Sequence, residues 1–105
     1  MLYHLDFIVS YPTNMSQFEL FVISIEEANA ALKAKHQGTI IDLWKCVGTP
    51  RIIAIIDVES PDALDRILMD LPIVKKHGQH VEIEVTPLRR YEDFAEDMKT
   101  RINLS

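Results

Sequence analysis

The stretch from Asn14 to Gln37 reads as one helix that needs cover on both sides, and this is the strongest constraint in the sequence. Phe18, Phe21, Val22, Ile25, Ala28 and Leu32 recur at spacings of three and four, the stripe by which a helix packs on a core. At about 100° per residue, Leu20, Ile23, Glu27, Ala30, Ala31 and Ala34 fall on the opposite side. That side ought to be solvated and charged, yet Glu27 is its one charged residue. The first stripe is expected on the chain's own core and the second at a subunit contact. A carboxylate set there among Leu, Ile and Ala is partly desolvated, which raises its pKa and readies it for proton transfer. The plainer reading is a helix-surface Glu with tolerated alanines.

A chain of 105 residues fits one compact domain, and its 48% hydrophobic content can build a core. Domains this small often gain stability by associating. The net charge of −5 and the absence of a basic stripe argue against nucleic acid. The longest apolar run, Ile52 to Ile56, is too short to span a bilayer, so no membrane contact is expected. The opening MLYHLDF lacks a charged leader region, and the single Cys46 forms no internal disulfide, so the chain reads as cytoplasmic.

Strand-like patterns cover Leu2 to Ser10, Thr39 to Val47, Arg51 to Glu59 and Val81 to Leu88. Between them lie the long helix, capped by Asn14 or Ser16 and ended at Gly38, and a second helix introduced by Ser60-Pro61 and stopped before Pro72. Lys75 to His80 reads as a polar loop. The order βαββαβ predicts an α+β, ferredoxin-like fold: a four-stranded antiparallel sheet with both helices on one face. The other face carries Ile, Leu, Val and Trp44, so a second subunit's sheet is expected to cover it, giving a dimeric α+β barrel. The fold occupies residues 1–88. Residues 89–105 form a tail with Tyr91, Phe94, Met98 and Ile102 at helical spacing, expected to dock on its own or a neighbouring subunit.

Several segments together resemble a known family. They are Met1-Leu2-Tyr3-His4, Pro12 and Met15, Glu27, Gly38-Thr39, Leu43-Trp44-Lys45 with Gly48, Asp57-Val58 with Ser60, Leu68 with Leu71-Pro72, and Val81 to Leu88. On these the chain is similar to the muconolactone δ-isomerases, over roughly 1–88. The resemblance implies the fold already read, assembly into homodimers or larger rings, active sites at subunit contacts, and no cofactor. It further implies a reaction of aromatic-compound degradation that shifts the double bond of a carboxymethyl-substituted butenolide. Two departures stand out. Pro50, Ile52 and Ala54 occupy positions where the family carries Tyr, Asn and Ser, and the basic run Ile73 to His80 replaces a shorter aromatic segment.

Shifting a C=C bond within a lactone needs one general base, and donors or a cation at the developing dienolate oxygen. Glu27 is the expected base. Lys45 and Arg51, on either side of the Gly48 turn, are candidates for the substrate carboxylate, and Trp44 for a pocket wall. A strand end in water reads Arg51 equally well. His4, on the same strand face as Asp6, is either a catalytic proton relay or a satisfied buried histidine. His77 and His80, with Lys75 and Lys76, add donors and positive charge for an anionic lactone or acid. His-x-x-His in a loop lacks the helical spacing of a zinc motif, so no metal is expected. Isomerase of a lactone, with altered specificity, is the leading reading. A cofactor-free oxygenase or cyclase on the same scaffold and a non-catalytic ligand-binding subunit remain open.

Overall fold

The computed structural model describes residues 1–104; Ser105, the last residue of the expected tail, lies outside the described residues. Four strands, β1 (Leu2–Val9), β2 (Ile40–Lys45), β3 (Arg51–Asp57) and β4 (Val81–Leu88), form one sheet in the order β2-β3-β1-β4. Each neighbouring pair is antiparallel. Helices α1 (Gln17–His36) and α2 (Pro61–Met69) cross over the same sheet face, which is the ferredoxin-like arrangement read from the element order.

Local signals set most boundaries. Ser16 Oγ accepts the Glu19 amide at 3.1 Å to start α1, and Ser60 Oγ accepts the Ala63 amide at 3.1 Å to start α2 ahead of Pro61. Gly38 at φ +87° ends α1, and Gly48 at φ +78° turns the chain between β2 and β3; both conformations favour glycine. The core lies between sheet and helices. Tyr3, Leu5, Ala54 and Ile56 from β1 and β3 meet Leu64 of α2, while Val9 meets Ile23 of α1 and Ile73. No described helix is long and apolar enough to cross a membrane.

Three expectations are corrected. First, the second stripe of α1 turns inward, joined there by Phe21, Ala28 and Leu32 of the first. Ile23 is buried, and Leu20, Glu27, Ala31 and Ala34 line the space over the chain's own sheet, whereas Phe18 is 76% and Ile25 60% exposed. A helix with apolar residues on nearly every side has no dominant stripe, so periodicity does not say which side turns inward. Second, Lys75 to His80 is not a loop: α3 (Pro72–His77) and a 3₁₀ turn (Gly78–His80) lead into β4. Pro72 sets the first helical φ, and Lys75, Lys76 and His77 favour the last turn. Third, β2 stops at Lys45 and carries a bulge at Ile41, since Ile40 pairs with Ile56 but Asp42 with Ile55. One extra residue reverses which side chains face which way beyond it.

A last helix, α4, spans Tyr91–Leu104. Arg89 pairs with Asp97 and lies 5.9 Å over the Phe94 ring. Among the described residues α4 packs on no other element beyond marginal contact, and the molecule is 62 Å long but only 26 and 21 Å across.

The uncovered sheet face is more polar than expected. Alternation sets Leu2, His4, Asp6 and Ile8 on it, together with Arg51, Ile53, Ile55 and Glu84. Asp6 is buried, and Arg51 Nε donates to its Oδ1 at 2.8 Å while Nη2 closes a forked pair. Arg51 holds the Asp6 carboxyl below its ordinary pKa, with His4 adding to the effect. That contribution to stability is full above the ordinary carboxylate pKa and is lost as pH falls through the lowered one. Melting temperature should therefore drop on acidification below about pH 4, and Arg51→Met should flatten that limb; an unchanged limb in the variant assigns it to other carboxylates. On the covered face Leu5 is only 2% exposed, and Leu5→Ala should cost about 2–5 kcal/mol in urea unfolding, against well under 1 kcal/mol if the site repacks.

Candidate functional site

Between the sheet and α1 lies a cavity of about 710 Å³. Its floor is the alternating face of the sheet: Leu5 and Phe7 from β1, Ile52 and Ala54 from β3, and Leu43 from β2. Its roof is the inner face of α1, where alanines at 28, 30, 31 and 34 are too short to reach the sheet. Leu68 of α2, Leu71 and Ile73 close one side. The volume falls within the usual range for a small-molecule site.

Glu27 and Lys45 are the two charged residues that line the cavity among the described residues. Glu27 is half-buried in the apolar wall, and its Oε2 accepts the Ile73 amide at 3.1 Å. Burial raises its pKa above the ordinary carboxylate value; the Ile73 hydrogen bond offsets part of that rise. A carboxyl held closer to neutrality both accepts and returns a proton readily. Lys45 reaches the same cavity because of the bulge. With Leu43 opposite Ala54 and Lys45 opposite Ile52, residues 43 and 45 share the covered face. Lys45 Nζ is parked on the Cys46 carbonyl at 3.0 Å, a bond an anionic ligand can replace. Trp44 also lines the cavity while 52% exposed, as the edge position of β2 permits.

The other sequence candidates stand elsewhere. His4, opposite Ile55 and Thr86, lies on the uncovered sheet face with Asp6, so it does not meet Glu27 within one chain. Arg51 is on that face too, occupied by Asp6, so Lys45 and Arg51 do not converge as the sequence suggested. An unbulged β2 would have set them opposite each other. His77 borders a separate cavity of about 320 Å³ beside α1, with Met15, Phe18 and Glu26, and its ring lies 6.5 Å from that of His80. Neither histidine lines the larger cavity. Lys76 is tied to Glu26 at 2.6 Å and Lys75 approaches Asp70 at 3.8 Å.

Three contributors escaped the sequence reading. Ser24, one turn before Glu27, lines the cavity and donates its hydroxyl to the Leu20 carbonyl at 2.9 Å; the spacing of three from Glu27 was the available signal. Tyr11 brings a phenol to the wall. The Ile73 amide, the partner of Glu27, carries no signature in side-chain identity. By contrast Pro50, Ile52 and Ala54, singled out as departures, do line the cavity and bring no side-chain hydrogen-bond donor of their own to it.

Comparison with known proteins bears on this geometry. A family model described as muconolactone delta-isomerase matches residues 1–93. Muconolactone Delta-isomerase 2 of Acinetobacter lwoffii is 28% identical over 97 residues, covering 92% of this chain and 97% of that relative. Muconolactone Delta-isomerase of Cupriavidus pinatubonensis is 31% identical over 91 residues, covering 87% and 95%. A crystal structure of muconolactone isomerase at 3.3 Å superposes with a TM-score of 0.73 at 30% identity, covering 86% of this chain and 90% of that one. With the match extending across the sheet, both crossover helices and the cavity between them, the chain belongs to the muconolactone delta-isomerase family.

Proposed function

We propose that this chain is a cofactor-free isomerase that shifts a C=C bond in a small unsaturated lactone bearing a carboxylate. The observation that carries the reading is Glu27: a half-buried carboxyl with a raised pKa, in an apolar cavity, in a chain of this family. In the proposed reaction Glu27 removes the acidic carbon-bound proton, the electrons delocalise into a dienolate, and the same proton returns at another ring carbon. Nothing is gained or lost overall. Lys45 supplies the cation for the substrate carboxylate or the dienolate oxygen. The reading assigns anion binding to Lys45 rather than to Arg51, His77 or His80, and has no use for His4 within one chain. It favours catalysis over mere ligand binding because an ionisable group sits against an apolar wall, where binding alone gains nothing from it.

One variant tests both the role and its cost. Protonated Glu27 favours the folded state, so its contribution is full below the ordinary carboxylate pKa and is lost as pH rises through the raised value. Glu27→Gln should lower kcat by about 10²–10⁴-fold while raising the melting temperature near pH 8 more than near pH 4. A loss of turnover under about threefold removes Glu27 from the chemistry.

The same reading takes the chain to be a homodimer or larger homo-oligomer, joined through the uncovered sheet as a dimeric α+β barrel. Leu2, Ile8, Ile53 and Ile55 surround the Asp6–Arg51 pair there, and the outer stripe of α1 adds more exposed apolar surface than monomers usually carry. Sedimentation at micromolar concentration should show no significant 12.1 kDa species; a clean monomer ends this part of the proposal.

Pro50 and Ile52 make an apolar wall that tolerates added bulk better than it discriminates against it. Alkyl- or aryl-substituted lactones should therefore give higher kcat/KM than muconolactone. Turnover of plain muconolactone at about 10⁵ M⁻¹s⁻¹ or faster refutes the altered specificity and leaves the family's own substrate in its place.

A further inference from the structure

Among the described residues the carboxyl of Glu27 accepts a hydrogen bond at Oε2 and none at Oε1. Leu71 precedes α3 without providing a side-chain cap, and Pro72 at the first helical position has no N–H. Ile73 therefore carries the first amide of α3, and the residue is only 4% exposed. A buried amide needs an acceptor, and Glu27 Oε2, from a different helix, supplies it at 3.1 Å. The neighbouring Glu26 takes Lys76 at 2.6 Å, three residues and so nearly one turn beyond Ile73. Two adjacent acids of α1 thus fasten α3, the segment in which this chain departs from the aromatic run of its family.

We propose that α3 is the positioning element for the base: the Ile73 amide fixes Oε2 and leaves Oε1 as the oxygen that takes and returns the proton. This rests on the reading of Glu27 as general base. The amide stabilises the ionised form against burial, so it also sets the pH at which the base becomes available. Without it the carboxyl turns about its last bond, and the geometry of proton transfer is lost before substrate binding is affected.

The test replaces Ile73 by its α-hydroxy acid analogue in the full chain, converting the amide N–H to an ester oxygen with the side chain kept. The same replacement at Lys75, whose amide bonds the Leu71 carbonyl at 3.0 Å, is the control for damage to α3 alone. The Glu27 carboxyl is followed by ¹³C NMR titration, and kcat and KM against pH. The Ile73 ester should move the Glu27 titration and the rising limb of kcat/KM to higher pH. It should also lower kcat about tenfold with KM within about twofold; the Lys75 ester should leave the titration where it was. An unmoved titration in the Ile73 ester, or an equal shift in the Lys75 ester, overturns the proposal. Should the ester not fold, amide exchange decides: in Glu27→Ala the Ile73 amide should exchange at least about tenfold faster, and an unchanged rate overturns the proposal equally. A shifted titration together with a fully active Glu27→Gln keeps the clamp and ends only the general-base reading.

Discussion

The inner face of α1 is too small to fill the space over the sheet, and the rest of the site depends on that shortfall. Ala30, Ala31 and Ala34 stand where Leu or Ile would have met Leu5 and Ala54, so about 710 Å³ stays open at the level of the core. Leaving a void costs packing, and here the loss is offset at the ends, where Ile23 meets Val9 and Leu64 meets Tyr3 and Ile56. Ile23 pins α1 over the sheet, and Leu64 pins α2. Glu27 lies between, far enough into the apolar wall to have its charge penalised and near enough to α3 to find one hydrogen bond.

A single bulge sorts the charges. Ile41 is the extra residue in β2, and beyond it Lys45 turns to the cavity. Arg51, on the next strand, stays on the opposite face and spends its fork on Asp6. The cavity is left with one acid and one base in an apolar lining, the minimum that proton transfer next to an anionic substrate requires. The second face keeps its own ion pair, a buried Asp6 with a half-exposed Arg51, ringed by Leu2, Ile8, Ile53 and Ile55.

The basic segment after Leu71 finds its partners within the chain. Lys75, Lys76, His77 and His80 read as donors for a ligand, but Pro72 starts a helix there and the lysines find acids, Glu26 and Asp70, on their own chain. Such half-exposed pairs each contribute about 1 kcal/mol or less. Lys76–Glu26 ties α3 to α1, which keeps the Ile73 amide in reach of Glu27, while Lys75–Asp70 ties α3 to the end of α2.

By itself the sequence determined the order of the four strands and the two crossover helices, the caps at Ser16 and Ser60, the turns at Gly38 and Gly48, the limits of β4 and the shared face of His4 and Asp6. These rest on interactions within a few residues or on strict two-residue alternation. It also flagged Glu27 as a desolvated acid, though from a subunit contact instead of the chain's own sheet. Tertiary structure alone decided three matters: which face of α1 turns inward, on which sheet face Lys45 stands, and which amide meets Glu27. A helix that is apolar nearly all round has no preferred side until something packs on it. A bulge exists only once two strands are paired, and a backbone amide is the same in every sequence until the fold brings an acceptor to it.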